Sequence, residues 1–195
     1  MTPHTLLKYL IELPWIIFVV VWFLAALKTN PTERSESFVS RYGVMALVVA
    51  GYVLIFDDSV RVGVLEHRFV PYDIVIGILG VVLTWLGIGL ALWARFYLGR
   101  FWSARVTIKQ DHRLISSGPY ARLRHPIYSG LLLALAGSAL TKGEWRGLAG
   151  LTVVWLAFSF KALKEESMLG EQFGDDFREH RRRTGFLLPR FRQPV

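Results

Sequence analysis

The stretch Ile74-Val75-Ile76-Gly77-Ile78-Leu79-Gly80-Val81-Val82-Leu83-Thr84-Trp85-Leu86-Gly87-Ile88-Gly89-Leu90-Ala91-Leu92-Trp93-Ala94 carries no charge over 21 residues. It lies between Asp73 and Arg95. A bilayer's hydrocarbon core is about 30 Å thick, and about 20 apolar residues in a helix cross it. This run meets that length alone and fixes the fold class as an integral-membrane helical one. Four shorter uncharged runs flank it: Leu13 to Leu27, Tyr42 to Phe56, Ile127 to Thr141 and Gly147 to Phe160. Runs of 10–14 residues are more often buried core helices than spans. Lys and Arg at helix ends snorkel, however, so Lys142, Arg146, Lys161 and Lys164 can flank spans. Lys142 to Arg146 is all that joins the last two runs, which reads as a tight helical hairpin. Five spans is the preferred count. The first run lacks a basic leader and a cleavage pattern, and is expected to stay as a membrane helix.

Composition agrees with this. The 195 residues are 53% hydrophobic and 19% charged, with a net charge of +8, whereas an average soluble domain is about 25% charged. Mean hydropathy is +0.38 and the pI about 10.0. Disorder is excluded by the oil. An ordinary soluble domain is disfavoured, because a chain this short leaves apolar patches exposed. With no cysteine, disulfides, Cys-ligated zinc, Fe–S clusters and a cysteine nucleophile are ruled out. The basic balance points to an anionic membrane face before it points to nucleic acid.

Charge placement orients the five-span arrangement. With the N-terminus outside, 18 of the 23 Lys and Arg residues face the cytoplasm: Lys28, Arg34 and Arg41, seven from Arg95 to Arg124, and eight from Lys161 to Arg192. Lys8, Arg61, Arg68, Lys142 and Arg146 face outward. The positive-inside rule then puts the C-terminus in the cytoplasm, with a bacterial or archaeal inner membrane as the expected location. Residues 1–70 are expected to form an N-terminal transmembrane hairpin and 71–195 the functional core.

Two cytoplasmic stretches are long enough for chemistry: Arg95 to Pro126, and the tail from Lys161. In the first, Gly118-Pro119 makes a turn, and Pro126 sits at the N1 position that a helix tolerates. Arg124 and His125 therefore stand at the mouth of a membrane helix, where an anion is favoured. Tyr128 lies one turn in. A basic interfacial collar with an aromatic belt is the competing reading. In the tail, Glu165-Glu166 adjoins the end of the last apolar run. Carboxylates there suit a polar cavity or a cation; a helix that has simply entered water is the alternative. Leu169, Phe173 and Phe177 form an amphipathic stripe that Gly174 is expected to break. That stripe serves either as a lid or as a surface-lying helix. Phe101 and Trp102 are an interfacial anchor or a stacking platform. Asp57-Asp58 reads as a solvated loop, and Arg181-Arg182-Arg183 as a headgroup contact. There is no G-x-G-x-x-G after a strand, P-loop, H-E-x-x-H or G-x-S-x-G.

Taken in order, Asp111-His112-Arg113-Leu114, Ser117-Gly118-Pro119-Tyr120, Arg124-His125-Pro126-Ile127-Tyr128, Glu165-Glu166 and Phe173-Gly174-Asp175-Asp176-Phe177 resemble the isoprenylcysteine carboxyl methyltransferase family, which is related to the phospholipid N-methyltransferases. The resemblance covers roughly residues 98 to 190. It implies an all-α membrane enzyme dependent on S-adenosylmethionine. The cofactor pocket would be made on the cytoplasmic side by the loop before the fourth helix and by the C-terminal helix. A lipid-like acceptor would arrive between membrane helices. Carried over by position, His112, Leu114, Gly118, Tyr120, His125, Pro126 and Tyr128 line the cofactor, and Glu165 and Glu166 close it. The residue types suit that cofactor. Carboxylates match its ammonium or ribose hydroxyls, the helix start with Arg124 or His125 matches its carboxylate, and aromatic faces match the sulfonium.

A carboxylate acceptor needs little acid–base help, so catalysis would be positioning and exclusion of water. An amine acceptor needs a base, for which Glu165 or His125 is the candidate. The family usually places Arg four residues before the Glu pair. Here that position is Lys161, where an acceptor carboxylate would be held, and Lys cannot clamp it bidentately. Phe177 and His180 replace two tail tyrosines, and Arg183 to Pro189 only echoes the closing motif. Carboxylate O-methylation is the preferred reaction. Amine or phospholipid N-methylation is one alternative and an NADPH-dependent, sterol-reductase-like enzyme another, although Glu165-Glu166 would repel a 2′-phosphate. The expected partners are membrane lipids and a hydrophobic acceptor, with neither metal nor nucleic acid.

Overall fold

The computed structural model describes residues 3–26, 32–35, 38–60, 63–99, 107–109 and 114–191. Five long helices occupy the places of the five uncharged runs: α1 (Pro3–Ala26), α2 (Phe38–Phe56), α3 (Ile74–Leu98), α4 (Pro126–Lys142) and α5 (Trp145–Arg183). Two short strands, β1 (Thr32–Ser35) and β2 (Thr107–Lys109), pair antiparallel, an addition to the expected all-α architecture. Among the described residues, three helices are long and apolar enough to cross a membrane, those at Thr5–Ala25, Ile74–Leu98 and Trp145–Arg183. The apolar part of α2, Tyr42–Phe56, is shorter, and α4 has 17 residues. This is an integral membrane protein. Val19, Phe23, Val75, Ile78, Leu86 and Phe160 all point outward and exposed, a distribution that suits lipid and not water.

The deciding run forms α3, whose first amides are capped by Asp73: its Oδ1 accepts from Val75 N at 2.7 Å and Ile76 N at 3.2 Å. Glycine decides how α3 meets α4. A Cβ on Gly87 would lie 2.4 Å from Ala134 N, and one on Gly137 2.4 Å from Gly80 O. Small residues at such a seam let two backbones approach, which is what drives helix association where lipid removes the hydrophobic gain. Ser138 crowns the seam. It accepts a hydrogen bond from Trp15 Nε1 of α1 at 3.1 Å and lies 3.4 Å from Thr84 Oγ1.

Helix α2 packs on α5 at a second small-residue contact, Gly51 against Gly150. Helix α1 lies along α3, where Trp85 Nε1 donates to Leu10 O at 3.0 Å. The first two helices are thus each seated on a different core helix, and the rings of Trp15, Tyr52 and Phe56 meet between them.

The α4–α5 hairpin turns at Gly143, which has φ +70°. There Asp58 accepts from Lys142 Nζ at 2.5 Å and Arg146 Nη2 at 2.7 Å. The Lys142 hydrogen bond, with Arg146 beside it, holds the Asp58 carboxyl below its ordinary range against partial burial. The Asp57–Asp58 pair is therefore no simple solvated loop: Asp58 ties α2 to the hairpin. Helix α5 spans 39 residues with a break at Gly174; the unbroken part before it is about 44 Å long at 1.5 Å per residue, well over the hydrocarbon thickness. Its uncharged part ends at Phe160, before the part that carries Glu165 and Glu166. Gly174, at φ +51° and ψ −117°, breaks the helix where expected.

Candidate active site

The turn before α4 is set by Gly118, whose φ is +59° and whose absent Cβ would strike the Tyr97 ring at 2.5 Å. Tyr97 Oη and Ser117 Oγ hydrogen-bond at 2.8 Å. Tyr120 is buried, its hydroxyl 3.5 Å from Ala94 O of α3. Burial foremost, and then the charge of Glu165, push its phenol far up. Leu114 is half-buried. His112 lies outside the described residues, as do Arg100, Phe101, Trp102 and Ser103.

His125 is the N-cap residue of α4, followed by Pro126 at its start, and no side chain caps the first amides. Glu165 and Glu166 are neighbours on α5, and His125 engages both. Nδ1 lies 3.4 Å from Glu165 Oε2, and Nε2 lies 3.2 Å from Glu166 Oε1. With a carboxylate at each nitrogen, no neutral tautomer donates to both. Burial pushes the imidazole down, but the two carboxylates outweigh it and raise its pKa.

Arg124 Nε donates to Glu166 Oε1 at 2.6 Å. Burial would raise the Glu166 carboxyl; the hydrogen bonds from His125 and Arg124 hold it below its usual range. Glu165 accepts from Tyr128 Oη at 2.5 Å. The two carboxylates differ in access, with side chains 23% exposed at Glu165 and 7% at Glu166. Tyr128 stacks with both His125 and Phe158, its centroid 5.7 and 4.9 Å from theirs. Lys161 Nζ lies 6.0 Å from the same ring. His125, Tyr128, Lys161, Glu165, Glu166 and Arg124 are thus brought together from two segments. Gly118 and Tyr120 instead shape the turn that delivers them.

A third segment, Arg183 to Pro189, reads in the sequence only as the echo of a family motif and not as part of the site. After Arg183 the chain folds back over the start of α4. Arg124 N donates to Gly185 O at 2.9 Å, and Gly185 N to Arg122 O at 3.0 Å. The Arg124 guanidinium also donates to Thr184 O at 2.6 Å, and Ser129 Oγ to Leu187 O at 2.7 Å. Phe186 sets its edge against His125 at 5.3 Å. The signal lay in Gly185, where a Cβ would come within 1.8 Å of Leu188 O; Gly185 and Pro189 stand in the stretch that only echoes a family motif. Phe177 of the amphipathic stripe is buried and Phe173 half-buried, so the stripe packs inward. Arg181 Nε is 3.7 Å from Glu166 Oε2, giving one member of the arginine triple a partner in the site.

The phospholipid methyltransferase family profile matches residues 75–176. That span runs from α3 to just past the Gly174 break and includes the whole network except Arg181 and the returning tail. The chain is 30% identical over 128 residues to a probable protein-S-isoprenylcysteine O-methyltransferase of Oryza sativa subsp. indica, covering 64% of this chain and 63% of that protein. It is 32% identical over 81 residues to the protein-S-isoprenylcysteine O-methyltransferase of Schizosaccharomyces pombe, covering 41% and 34%. It is 33% identical over 125 residues to the cobalt-zinc-cadmium resistance protein CzcN of Cupriavidus metallidurans, covering 62% and 50%. The chain thus spans between a third and somewhat under two thirds of these relatives' lengths. With about half of its residues inside the family profile, and the Arg124-to-Tyr128 and Glu165-Glu166 segments within it, the chain belongs to the phospholipid methyltransferase family.

Proposed function

We propose that the protein is an S-adenosylmethionine-dependent methyltransferase acting on a lipid-like acceptor at the cytoplasmic membrane face, with carboxylate O-methylation as its reaction. The observation that carries this reading is the convergence of Arg124, His125 and Tyr128 with Glu165 and Glu166 where two helices leave the bilayer. The donor set fits the cofactor. Glu165, the more accessible carboxylate, retains lone pairs for an ammonium or a ribose hydroxyl. The uncapped start of α4 suits a carboxylate. When bound, the cofactor supplies an electrophilic methyl group.

The chain's own residues hold and orient. Glu166, paired with Arg124 and His125, is a positioning residue that keeps the His125 ring and the start of α4 against α5. Tyr128 fixes the Glu165 carboxylate. Lys161 is one helical turn before Glu165 and next to Tyr128, on the membrane side, where it can hold an acceptor carboxylate as a point charge. The returning tail covers the His125 side and excludes water. Both carboxylates and His125 are already engaged with each other, which favours an acceptor that needs no deprotonation over an amine. The names of the O-methyltransferase relatives favour the same choice.

Binding to the purified protein in detergent tests this. S-adenosylhomocysteine is expected to bind, NADPH is not, and Glu165→Gln and His125→Ala should each weaken the former. Binding of NADPH alone, or variants that bind like the parent, would overturn the reading. A membrane lipid extract assayed for labelled methyl incorporation then tests the acceptor. Label that mild base releases indicates an ester; base-stable label indicates N-methylation and overturns the O-methyl assignment.

A further inference from the structure

His125 and Glu166 are almost wholly covered, with side chains 5% and 7% exposed. A cofactor that touches them reaches them only when part of their cover moves. Much of that cover is built into the bundle, where α3 meets α4, and α4 meets α5 before Gly174, along glycine contacts. Residues 175–191 are attached differently. They follow the Gly174 break and are bonded to the start of α4 at Arg122, Arg124 and Ser129.

The break is a property of the backbone and not of packing. Gly174 has φ +51° and ψ −117°, a mirror-image β conformation that glycine adopts without strain. A Cβ there would meet nothing within 4 Å. The segment beyond it folds back, with the Phe177 ring 3.8 Å from where a Gly170 Cβ would stand. Further on it is latched. Arg124, whose Nε holds Glu166, donates through Nη1 to Thr184 O at 2.6 Å and to Arg181 O at 3.2 Å. Ser129 Oγ donates to Leu187 O at 2.7 Å, and both Thr184 and Leu187 are buried. A pivot clear of packing and a latch of a few hydrogen bonds are the two parts of a hinged cover.

We propose that residues 175–191 form a lid hinged at Gly174 and latched by Arg124 and Ser129, and that its opening admits the cofactor and releases the product. The inference rests on the methyltransferase reading and adds a step to it. With the lid shut, Phe186 stands edge-on to His125, and Arg181 Nε lies 3.7 Å from Glu166 Oε2. Raising it uncovers those faces of His125 and Glu166 while the Arg124–Glu166 pair stays made within the bundle. Exchange of the cofactor is then limited by the lid.

The test uses the full chain in detergent with S-adenosylhomocysteine as the probe. One readout is its association and dissociation rate constants. The other is hydrogen exchange at the Gly185 and Arg190 amides, which donate to Arg122 O when the lid is shut. In the ligand-free parent these amides should exchange well ahead of those in the middle of α4, and the probe should slow them. Gly174→Ala strains the bent backbone and favours a continued helix. It should raise both rate constants together by about tenfold and speed exchange at both amides. Ser129→Ala removes the bond to Leu187 O and should act in the same direction by about threefold; it serves alone if Gly174→Ala does not fold. A lost ligand contact speeds dissociation without speeding association, so a parallel rise in both is the mark of a gate. A rise in dissociation alone, or amides that exchange only as fast as those of α4, would overturn the lid. No binding of the probe by the parent would overturn the methyltransferase reading and the lid with it. Binding by the parent with unchanged rate constants in the folded variants would overturn the lid alone.

Discussion

His125 is where the proposed chemistry and the stability of the fold coincide. Its pKa is raised in the folded protein because Glu165 and Glu166 outweigh the effect of burial. The linkage has a definite sign. A raised folded-state pKa contributes stability that is fully present below the unfolded value, about 6.5, and is lost as pH climbs through the folded one. The midpoint of thermal unfolding should therefore fall as pH rises above neutrality. His125→Gln should lack that slope, and an unchanged slope in the variant would assign it elsewhere. The acidic partner has the opposite sign. Glu166 is held low by His125 and Arg124, so its contribution is present above about 4.5 and fades as pH falls through its lowered value. The two glutamates should also separate by readout. Glu166→Gln breaks a buried pair, which costs about 3–5 kcal/mol, and should lower the unfolding midpoint. Glu165→Gln, whose carboxylate is the more exposed of the two, should lower the midpoint less and weaken S-adenosylhomocysteine binding. Equal effects of the two on both readouts would contradict the division of roles.

At the scale of elements, the helices are held by what their seams lack. Gly87 and Gly89 lie two residues apart on α3, yet a Cβ on Gly87 meets α4 backbone at 2.4 Å while one on Gly89 meets nothing within 4 Å. Gly87→Ala should destabilise by about 1–3 kcal/mol through overpacking. Gly89→Ala should be neutral, or stabilising by up to about 1 kcal/mol from helix propensity. Unfolding in detergent would check the pair, and equal effects would place the seam elsewhere. The helices themselves were legible in the sequence, because a charge inside hydrocarbon is costly and each uncharged run marks where a helix can lie. The Gly174 break was legible for a similar reason, as a glycine inside an apolar stripe. Partnership was not. Nothing local relates Arg124 to Glu166 or Asp58 to Arg146, which lie 42 and 88 residues apart. The two halves of the site appeared as separate clusters, and only packing of α4 on α5 joins them. The returning tail was missed because its contacts with residues 122–129 are mostly made through backbone carbonyls, which carry no side-chain signature.

At the scale of the molecule, the two ends of the bundle are chemically unlike, and orientation follows from that. One end carries the Arg124–Glu166 network, the exposed arginines of the tail and most of the chain's cations. The other carries Asp58, Lys142, Glu144 and Arg146, in which each cation has a carboxylate partner. An end whose charges are mutually neutralised crosses a membrane more easily during insertion than one with a basic excess, which is the physical content of the positive-inside rule. The network end should therefore face the cytoplasm. The natural absence of cysteine makes the test simple, since any thiol introduced is the single one in the chain. Val64 and Leu188 are both well exposed and lie at opposite ends. In intact cells expressing the protein, a membrane-impermeant maleimide should label Val64→Cys and spare Leu188→Cys until the membrane is opened. The reverse pattern would invert the orientation and place the methyl-transfer site outside. Labelling of both in intact cells would mean that the two ends share one side, and that the five helices do not all span the bilayer.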